Sequence, residues 1–121
     1  MAQHNDLGKK GEKQAICYLK NQGYTIFDTN WRFQHLELDI VALKENTLCF
    51  VEVKTRRNKL YGEPYQALTK TKQKNIICAA NQYIQINNID YDIRFDLITI
   101  ISSTVEVELI HYKNVFIPFS F

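Results

Sequence analysis

Apolar residues recur at three- and four-residue steps through residues 6–22, the spacing that one face of an α-helix requires. The positions on this face are Leu7, Gly11, Ala15, Tyr18 and Leu19. Gly23 follows directly, and glycine is the residue most often found just past the end of a helix. The pattern therefore predicts a first helix over residues 6–22 with one apolar face packed on the rest of the chain.

Two segments in the first half of the chain predict an antiparallel hairpin. Residues 36–43 alternate, with one set of positions at Leu36, Leu38 and Ile40 and the other at Glu37, Asp39 and Val41. Residues 48–55 are rich in β-branched and aromatic side chains, and the polar residues 44–47 between the two segments are typical of a turn.

The remaining pattern completes a mixed sheet. We expect a short strand at 24–27 with a turn at 28–30, a loop at 58–64, a second helix at 65–87, a strong strand at 93–101 and a partner for it at 105–111. Strands interleaved with two helices predict an α/β fold with a single mixed β-sheet flanked by helices.

Length and composition favour one globular domain spanning residues 1–121. The chain has 45% apolar and 12% aromatic residues, which excludes a disordered tail. No apolar run approaches the about 20 residues of a membrane helix, and the polar start predicts no signal peptide. The three cysteines have no CxxC spacing, so we expect reduced thiols and a cytoplasmic protein rather than a zinc site or a disulfide framework.

The overall charge of +2 conceals a basic stretch at residues 54–74, which carries seven cations and one anion. Its cations are Lys54, Arg56, Arg57, Lys59, Lys70, Lys72 and Lys74. Such a stretch is typical of a phosphate-binding surface, although a solvated loop and helix face has the same composition.

The hairpin brings acidic residues together. If Leu43 and Leu48 close the turn, Asp39 faces Glu52 across the two strands, and Glu37 faces Lys54 on the same side of the sheet. Opposed like charges destabilise a sheet, and a hard divalent cation such as Mg²⁺ would offset the repulsion. The alternative is a solvent-facing charged surface with a Glu37–Lys54 ion pair, which would contribute little.

Each helix also directs one polar residue toward the sheet. Glu12 precedes Ala15, Ile16 and Leu19 at three, four and seven residues, so it lies within the apolar face of the first helix. Gln73 has the same relation to the apolar residues of the second helix. These positions predict side chains that lie at the edge of the core or point into a site.

An acid followed about a dozen residues later by Glu-x-Lys on a strand is the PD-(D/E)xK nuclease pattern, and here it is Asp39 with Glu52-Val53-Lys54. More closely, the chain resembles the YraN family of small nuclease-like proteins over residues 8 to about 100. The matching segments are Gly8-Lys9-Lys10-Gly11-Glu12, Asn30-Trp31-Arg32, Glu37-Leu38-Asp39-Ile40-Val41, Phe50-Val51-Glu52-Val53-Lys54-Thr55-Arg56, Lys72-Gln73-Lys74 and Arg94-Phe95-Asp96. The chain departs from the family at Leu36, where the family usually has glycine.

The resemblance implies a restriction-endonuclease-like αβββαβ core and a role for each matching residue. Asp39 and Glu52 would bind Mg²⁺ or Mn²⁺, and Lys54 would orient the attacking water and stabilise charge on the phosphate. Glu12 would be a further acid from the first helix, as in the Holliday-junction-resolvase branch, and Gln73 an accessory polar group. With a site in place, the cations Arg56, Arg57, Lys59, Lys70, Lys72 and Lys74 would bind nucleic acid.

We therefore expect a metal-dependent nuclease that hydrolyses phosphodiester bonds in DNA through a metal-activated water, with a homodimer as one possible assembly. The alternative is a nucleic-acid-binding accessory protein that keeps the fold and the acids without useful turnover. A purely structural partner-binding domain would leave the shared face of Asp39, Glu52 and Lys54 without purpose.

Overall fold

The computed structural model describes residues 2–57, 64–102 and 107–116 of the 121-residue chain. Two helices and five strands follow one another along it. They are α1 (Ala2–Asn21), β1 (Thr25–Phe33), β2 (Leu36–Lys44), β3 (Thr47–Arg56), α2 (Lys70–Ile86), β4 (Asp92–Ser102) and β5 (Val107–Tyr112), with a short 3₁₀ helix at Pro64–Ala67 before α2.

The five strands form one sheet in the order β1-β2-β3-β4-β5. β3 and β4 are parallel, and the other three pairings are antiparallel. Parallel neighbours need a long crossover connection, and α2 lies in this one. The predicted α/β fold with a single mixed sheet is therefore confirmed, including the strand near residues 105–111 that pairs with β4.

The two helices cover opposite faces of the sheet. Leu48 and Phe50 of β3 belong to the apolar cluster of α2, whereas Cys49 and Val51 belong to the cluster of α1. Successive side chains of a strand point to opposite faces, so this division places one helix on each side. The central strands are consequently buried on both faces.

α1 ends as the sequence predicts. Gly23 has a φ of +90°, its N–H donates to Lys20 O, and the N–H of Tyr24 donates to Leu19 O. This pair of hydrogen bonds satisfies two of the last carbonyls of the helix and requires the left-handed conformation that glycine adopts at no steric cost.

β1 corrects the prediction of a short strand and a turn at 28–30. The strand is continuous through Phe33, with a bulge between Ile26 and Asp28 and a φ of +52° at Asn30. A bulge accommodates an extra residue without ending the ladder, and asparagine tolerates the left-handed region better than most residues. The Asp28 carboxylate accepts a hydrogen bond from the Tyr83 hydroxyl at 2.7 Å, which accounts for a polar residue within the strand.

α2 begins five residues later than predicted because Thr69 starts a new helix. Thr69 is extended, and its hydroxyl accepts a hydrogen bond from the backbone N–H of Lys72 at 3.2 Å. This N-cap satisfies one of the unpaired donors of the first turn. The predicted loop at 58–64 lies outside the described residues apart from Pro64.

Asp96 is buried in a polar network that joins α1, β4 and β5. Arg94 donates to both of its carboxylate oxygens at 2.9 Å, and His111 Nε2 donates to Oδ2 at 2.8 Å. The Tyr18 hydroxyl lies 3.0 Å from His111 Nδ1, and the Arg94 guanidinium also donates to Tyr24 at 2.7 Å. A buried charge needs such partners, so Asp96 has a structural role.

No helix in the described part of the chain is long and apolar enough to cross a membrane.

Candidate active site

The β2–β3 hairpin has the register that the sequence predicts, and it opens where the acids project. Its ladder runs from Lys44 opposite Thr47 to Ile40 opposite Val51. At the next position, Asp39 Oδ2 accepts a hydrogen bond from the backbone N–H of Val53 at 2.9 Å. An acidic side chain therefore satisfies a donor of the neighbouring strand at the point where strand pairing ends.

The side-chain alternation of β2 is interrupted at this opening. Leu38 packs in the apolar cluster of α2, whereas Ile40, two residues later, packs in that of α1. In a regular strand both would lie on one face. The two acids therefore follow the last regular pair of the ladder, at the point where β2 and β3 begin to separate.

Asp39 and Glu52 form an acid pair, because their carboxyl groups line the same cleft and interact with each other. Burial, and secondarily the charge of Asp39, raises the pKa of Glu52 from 4.5 to about 8. Burial also raises the pKa of Asp39, although the Val53 N–H, Glu52 and Lys72 oppose the rise.

Lys72 provides a positive charge close to this pair. Its Nζ lies 3.2 Å from Glu52 Oε1, and only 12% of the Glu52 side chain is exposed. The N-cap at Thr69 fixes the first turn of α2 and therefore the position from which Lys72 reaches across. The sequence assigned Lys72 to the nucleic-acid surface and gave no signal of its contact with the acid.

Glu12 enters the site from α1, as its place in the apolar face predicts. It accepts a hydrogen bond from Asn30 Nδ2. Burial raises the Glu12 pKa, the Asn30 hydrogen bond opposes the rise, and the charges of Asp39 and Glu37 add to it. Glu12 therefore interacts electrostatically with the acids of the hairpin, although it belongs to α1.

Gly11 permits the close approach of α1 that places Glu12 there. A Cβ atom on Gly11 would lie 1.9 Å from the Oγ1 atom of Thr55 in β3. Any other residue type would require the Thr55 side chain, the helix or the strand to move, so the glycine before Glu12 has a packing reason.

Two clefts meet at the acid pair. The α2 cleft, of about 420 Å³, is lined by Asp39, Glu52, Lys54, Lys72 and Asn75 among others. The central cleft, of about 310 Å³, is lined by Gly8, Glu12, Asn30, Glu37, Asp39 and Lys54 among others. Lys54 is exposed and borders both clefts, where its ammonium group is available to a ligand.

Glu37 and Gln73 differ from the pairings considered from the sequence. Glu37 lines both clefts, but its ion pair is with Arg32 across β1, at 2.8 Å from Nε, rather than with Lys54. Gln73 Nε2 donates to the carbonyl of Leu68 at 2.9 Å, and neither cleft includes this side chain. The structure therefore brings Glu12 to the acid pair and directs Gln73 away from it.

The predicted nucleic-acid residues surround α2 and the end of β3. Arg57, Lys70 and Lys74 are exposed, and Arg56 and Lys72 are half-buried. Lys59 lies outside the described residues. Their binding of nucleic acid stays a prediction.

The donor set fits a hard cation only if a ligand completes it. Among residues 2–57, 64–102 and 107–116 no group of three or more His, Cys, Asp or Glu could form a metal cage. Mg²⁺ is commonly held by one or two carboxylates with waters and substrate phosphates. Asp39 and Glu52 supply that minimum, and the open clefts leave room for the rest.

A profile of the family described as "Uncharacterised protein family UPF0102" matches residues 11–100. A UPF0102 protein of Bacteroides thetaiotaomicron is 48% identical over 118 residues, which cover 98% of both chains. A relative from Flavobacterium psychrophilum is 42% identical over 98% of this chain and 100% of its own. Another, from Chlorobium chlorochromatii, is 47% identical over 77% of this chain and 72% of its own.

Proposed function

The chain belongs to the uncharacterised protein family UPF0102, and from this premise and the geometry of its acids we propose that it is a metal-dependent nuclease that hydrolyses phosphodiester bonds in DNA. The spacing of Asp39, Glu52 and Lys54 along the chain resembles the PD-(D/E)xK nuclease pattern, and this resemblance supports the proposal.

The observation that carries the proposal is the buried acid pair. Two adjacent carboxyl groups with raised pKa values destabilise the fold, so their presence together indicates a role in function. Perturbed acids in a cleft are a mark of functional sites. Lys54 and Lys72 border the same cleft, so the site combines carboxylates for a cation with ammonium groups for a phosphate.

Each group has a role in the proposed hydrolysis. A bound Mg²⁺ or Mn²⁺ would supply neutralising charge and a water of lowered pKa. Asp39 is oriented by the Val53 N–H and, with Glu52, would hold the ion. Lys54 would place positive charge where the attacked phosphate accumulates negative charge. Glu12, with its raised pKa, would accept or return a proton at the α1 side of the site.

The basic residues of α2 and the end of β3 would hold the strand. Phosphate contacts position a nucleic acid without reading its sequence, so we expect little sequence preference. Cleavage of both strands of a duplex by so small a site would require two copies of the chain. We accordingly infer that the protein acts on duplex substrates as a homodimer. From the cysteine pattern we separately infer a cytoplasmic location.

A nucleic-acid-binding accessory protein without turnover remains the second candidate, and the Lys72–Glu52 contact favours it. An ammonium group at 3.2 Å from Glu52 already neutralises part of the charge that a metal ion would neutralise. In that case the basic surface would act alone.

Cleavage assays separate the two functions. We expect the wild-type protein to cut at least one substrate among duplex, branched, flapped and single-stranded DNA with Mn²⁺, and chelation to abolish the cutting. Asp39→Asn and Lys54→Met should lose activity at least about a hundredfold, while Asp90→Asn and Lys44→Met should not. Retained DNA binding without metal-dependent cutting on any substrate would favour the accessory protein.

A further inference from the structure

A third cleft continues the two that meet at the acid pair. This α1 cleft, of about 660 Å³, lies between α1 and the strands β1 and β2 and is lined by Gly8, Lys9, Lys13, Asn30, Arg32 and Glu37 among others. It shares Gly8, Asn30 and Glu37 with the central cleft, which in turn shares Asp39 and Lys54 with the α2 cleft. The three clefts therefore form one groove that passes Asp39, with the α2 cleft on one side of this acid and the central and α1 clefts on the other.

The α1 cleft has its own cations. Lys9 and Lys13 are four residues apart on the helix, so they lie on the face that also carries Glu12. Both are exposed, and no ion pair joins either of them to an acid whose side chain the structure describes. Glu12 is engaged by Asn30 and Glu37 by Arg32, so the acids of this cleft already have partners.

Gly8 gives an independent indication that something approaches the helix here. A glycine inside a helix costs about 1 kcal/mol relative to alanine, so a packing reason is expected for it. Gly11 has one in Thr55, whereas a Cβ atom on Gly8 would have nothing within 4 Å. Gly8 lines both the α1 cleft and the central cleft, where a missing side chain leaves space for a ligand close to the backbone.

We propose that the α1 cleft binds the sugar–phosphate backbone of the nucleic-acid strand on the side of the scissile phosphate opposite to α2. Lys9 and Lys13 neutralise phosphates, and Gly8 lets the strand lie against the helix. The proposal rests on the proposed function, because the groove is centred on the acids assigned to cleavage. It adds a second binding arm that the basic stretch of residues 54–74 does not include.

Binding of labelled single-stranded DNA, measured by fluorescence anisotropy with Ca²⁺ in place of Mn²⁺, tests the arm. The double variant Lys9→Ala/Lys13→Ala should bind at least about tenfold more weakly, and the slope of log affinity against log salt should become shallower by about 1.4, since each contact to a single strand contributes about 0.7. The control Lys10→Ala removes a charge from the same helix outside the three clefts and should change affinity little.

Gly8→Leu tests the space rather than the charge. Leucine is a far better helix former than glycine, so the melting temperature should not fall, yet DNA affinity should fall severalfold because the side chain fills the groove. Cys17→Leu, at an exposed position of the same helix, is the control for added bulk. An unchanged affinity in Gly8→Leu and in the double lysine variant would overturn the proposal, as would an equal loss in Lys10→Ala.

The outcomes for the two proposals are distinguishable. If the double lysine variant keeps both the affinity and the KM of a wild-type protein that cuts DNA, the α1 arm is wrong and the nuclease proposal stands. If the wild type binds DNA without cutting it in Mn²⁺, the nuclease proposal fails and the affinity comparison still decides the arm. If the wild type does not bind DNA, both proposals fail.

Discussion

Glu52 is an acid whose surroundings in the folded chain disfavour its charge. Most of its side chain is buried, the charge of Asp39 is close to it, and Lys72 on α2 offsets part of the effect. In the unfolded chain none of these constraints exists. The pKa of Glu52 is therefore a measurable property of the assembled site.

Replacement of Glu52 by glutamine should change how stability depends on pH. Because the pKa of Glu52 is raised from 4.5 to about 8, the folded wild type binds more protons than the unfolded chain between these values, and its free energy of unfolding falls as pH rises through them. Glu52→Gln lacks this loss, so its advantage over wild type should grow from pH 5 to pH 8 by at least about 1.4 kcal/mol, the equivalent of one pKa unit.

Urea unfolding at a series of pH values measures this difference without any metal. Glu45→Gln, at an exposed position in the turn of the same hairpin, should run parallel to wild type throughout. A Glu52→Gln curve that also runs parallel to wild type would mean that Glu52 is not held in a charge-disfavouring site.

At the scale of elements, the site depends on how closely α1 approaches β3. Gly11 touches the Thr55 side chain, and Glu12 is the next residue along the helix. The position of this acid is thus set by helix–sheet packing rather than by the hairpin that carries the other two.

Gly11→Ala should destabilise the fold by about 1–3 kcal/mol through overpacking against Thr55. Gly8→Ala, in the same helix with open space around it, should instead stabilise the protein by about 1 kcal/mol. The two glycine variants differ only in what the new methyl group meets, and thermal unfolding compares them directly.

A double-mutant cycle with Thr55→Ala identifies the contact. Removing the Thr55 hydroxyl should recover part of the loss, with a coupling energy of about 0.5–3 kcal/mol. Additive effects of Gly11→Ala and Thr55→Ala would show that α1 does not pack on β3 at this point.

At the scale of the whole molecule, the hydrogen-bond network of Asp96 connects α1 to the sheet and β4 to β5. Burial opposes the charge of Asp96, yet hydrogen bonds from His111, Arg94 and the Asn114 N–H hold its pKa below the ordinary 3.8. A lowered pKa contributes stability that is present above the unfolded value and is lost as pH falls through the folded value.

Asp96→Ala should therefore cost about 3–5 kcal/mol at pH 7, because it leaves the partly buried Arg94 guanidinium and the buried His111 ring without their partner. The difference from wild type should shrink as pH falls below about 3.8, because the unfolded chain then binds a proton that the folded Asp96 carboxylate, with its lowered pKa, does not yet bind. Asp92→Ala, an exposed acid at the start of the same strand, is the control in the denaturant titrations. A constant difference down to pH 2 would contradict the role given to the Asp96 charge.

The fold could be predicted largely because the hairpin signals agree with one another. Alternation in β2 and β3 and the short turn between them fix one register, whose last pair is Ile40 opposite Val51, and Asp39 and Glu52 are the next residues on the two strands. The bulge at Ile26–Asp28 could not be predicted in this way, because Asp28 and Asn30 are residues typical of turns. Only the folded chain shows that Asp28 binds the Tyr83 hydroxyl and that Asn30 binds the Glu12 carboxylate.

The polar side chains of α2 were harder to predict than its apolar face. Apolar spacing places Gln73 on the buried side of the helix, but it does not reveal that the Leu68 carbonyl takes its amide. Likewise, Lys72 belongs by charge to the basic stretch, and only the start of α2 at Thr69 directs it to Glu52. Long side chains are positioned by helix starts and local hydrogen bonds, which periodicity does not encode.

The central claim is that Asp39 and Glu52 hold a divalent cation, and calorimetric titration of Mn²⁺ at low salt and pH 8 tests it most directly. The wild type, alone or with a single-stranded oligonucleotide whose phosphates complete the coordination, should bind Mn²⁺, whereas Asp39→Ala should not under either condition and Asp90→Ala should behave as wild type. No difference between the wild type and Asp39→Ala, with the oligonucleotide present, would contradict the account.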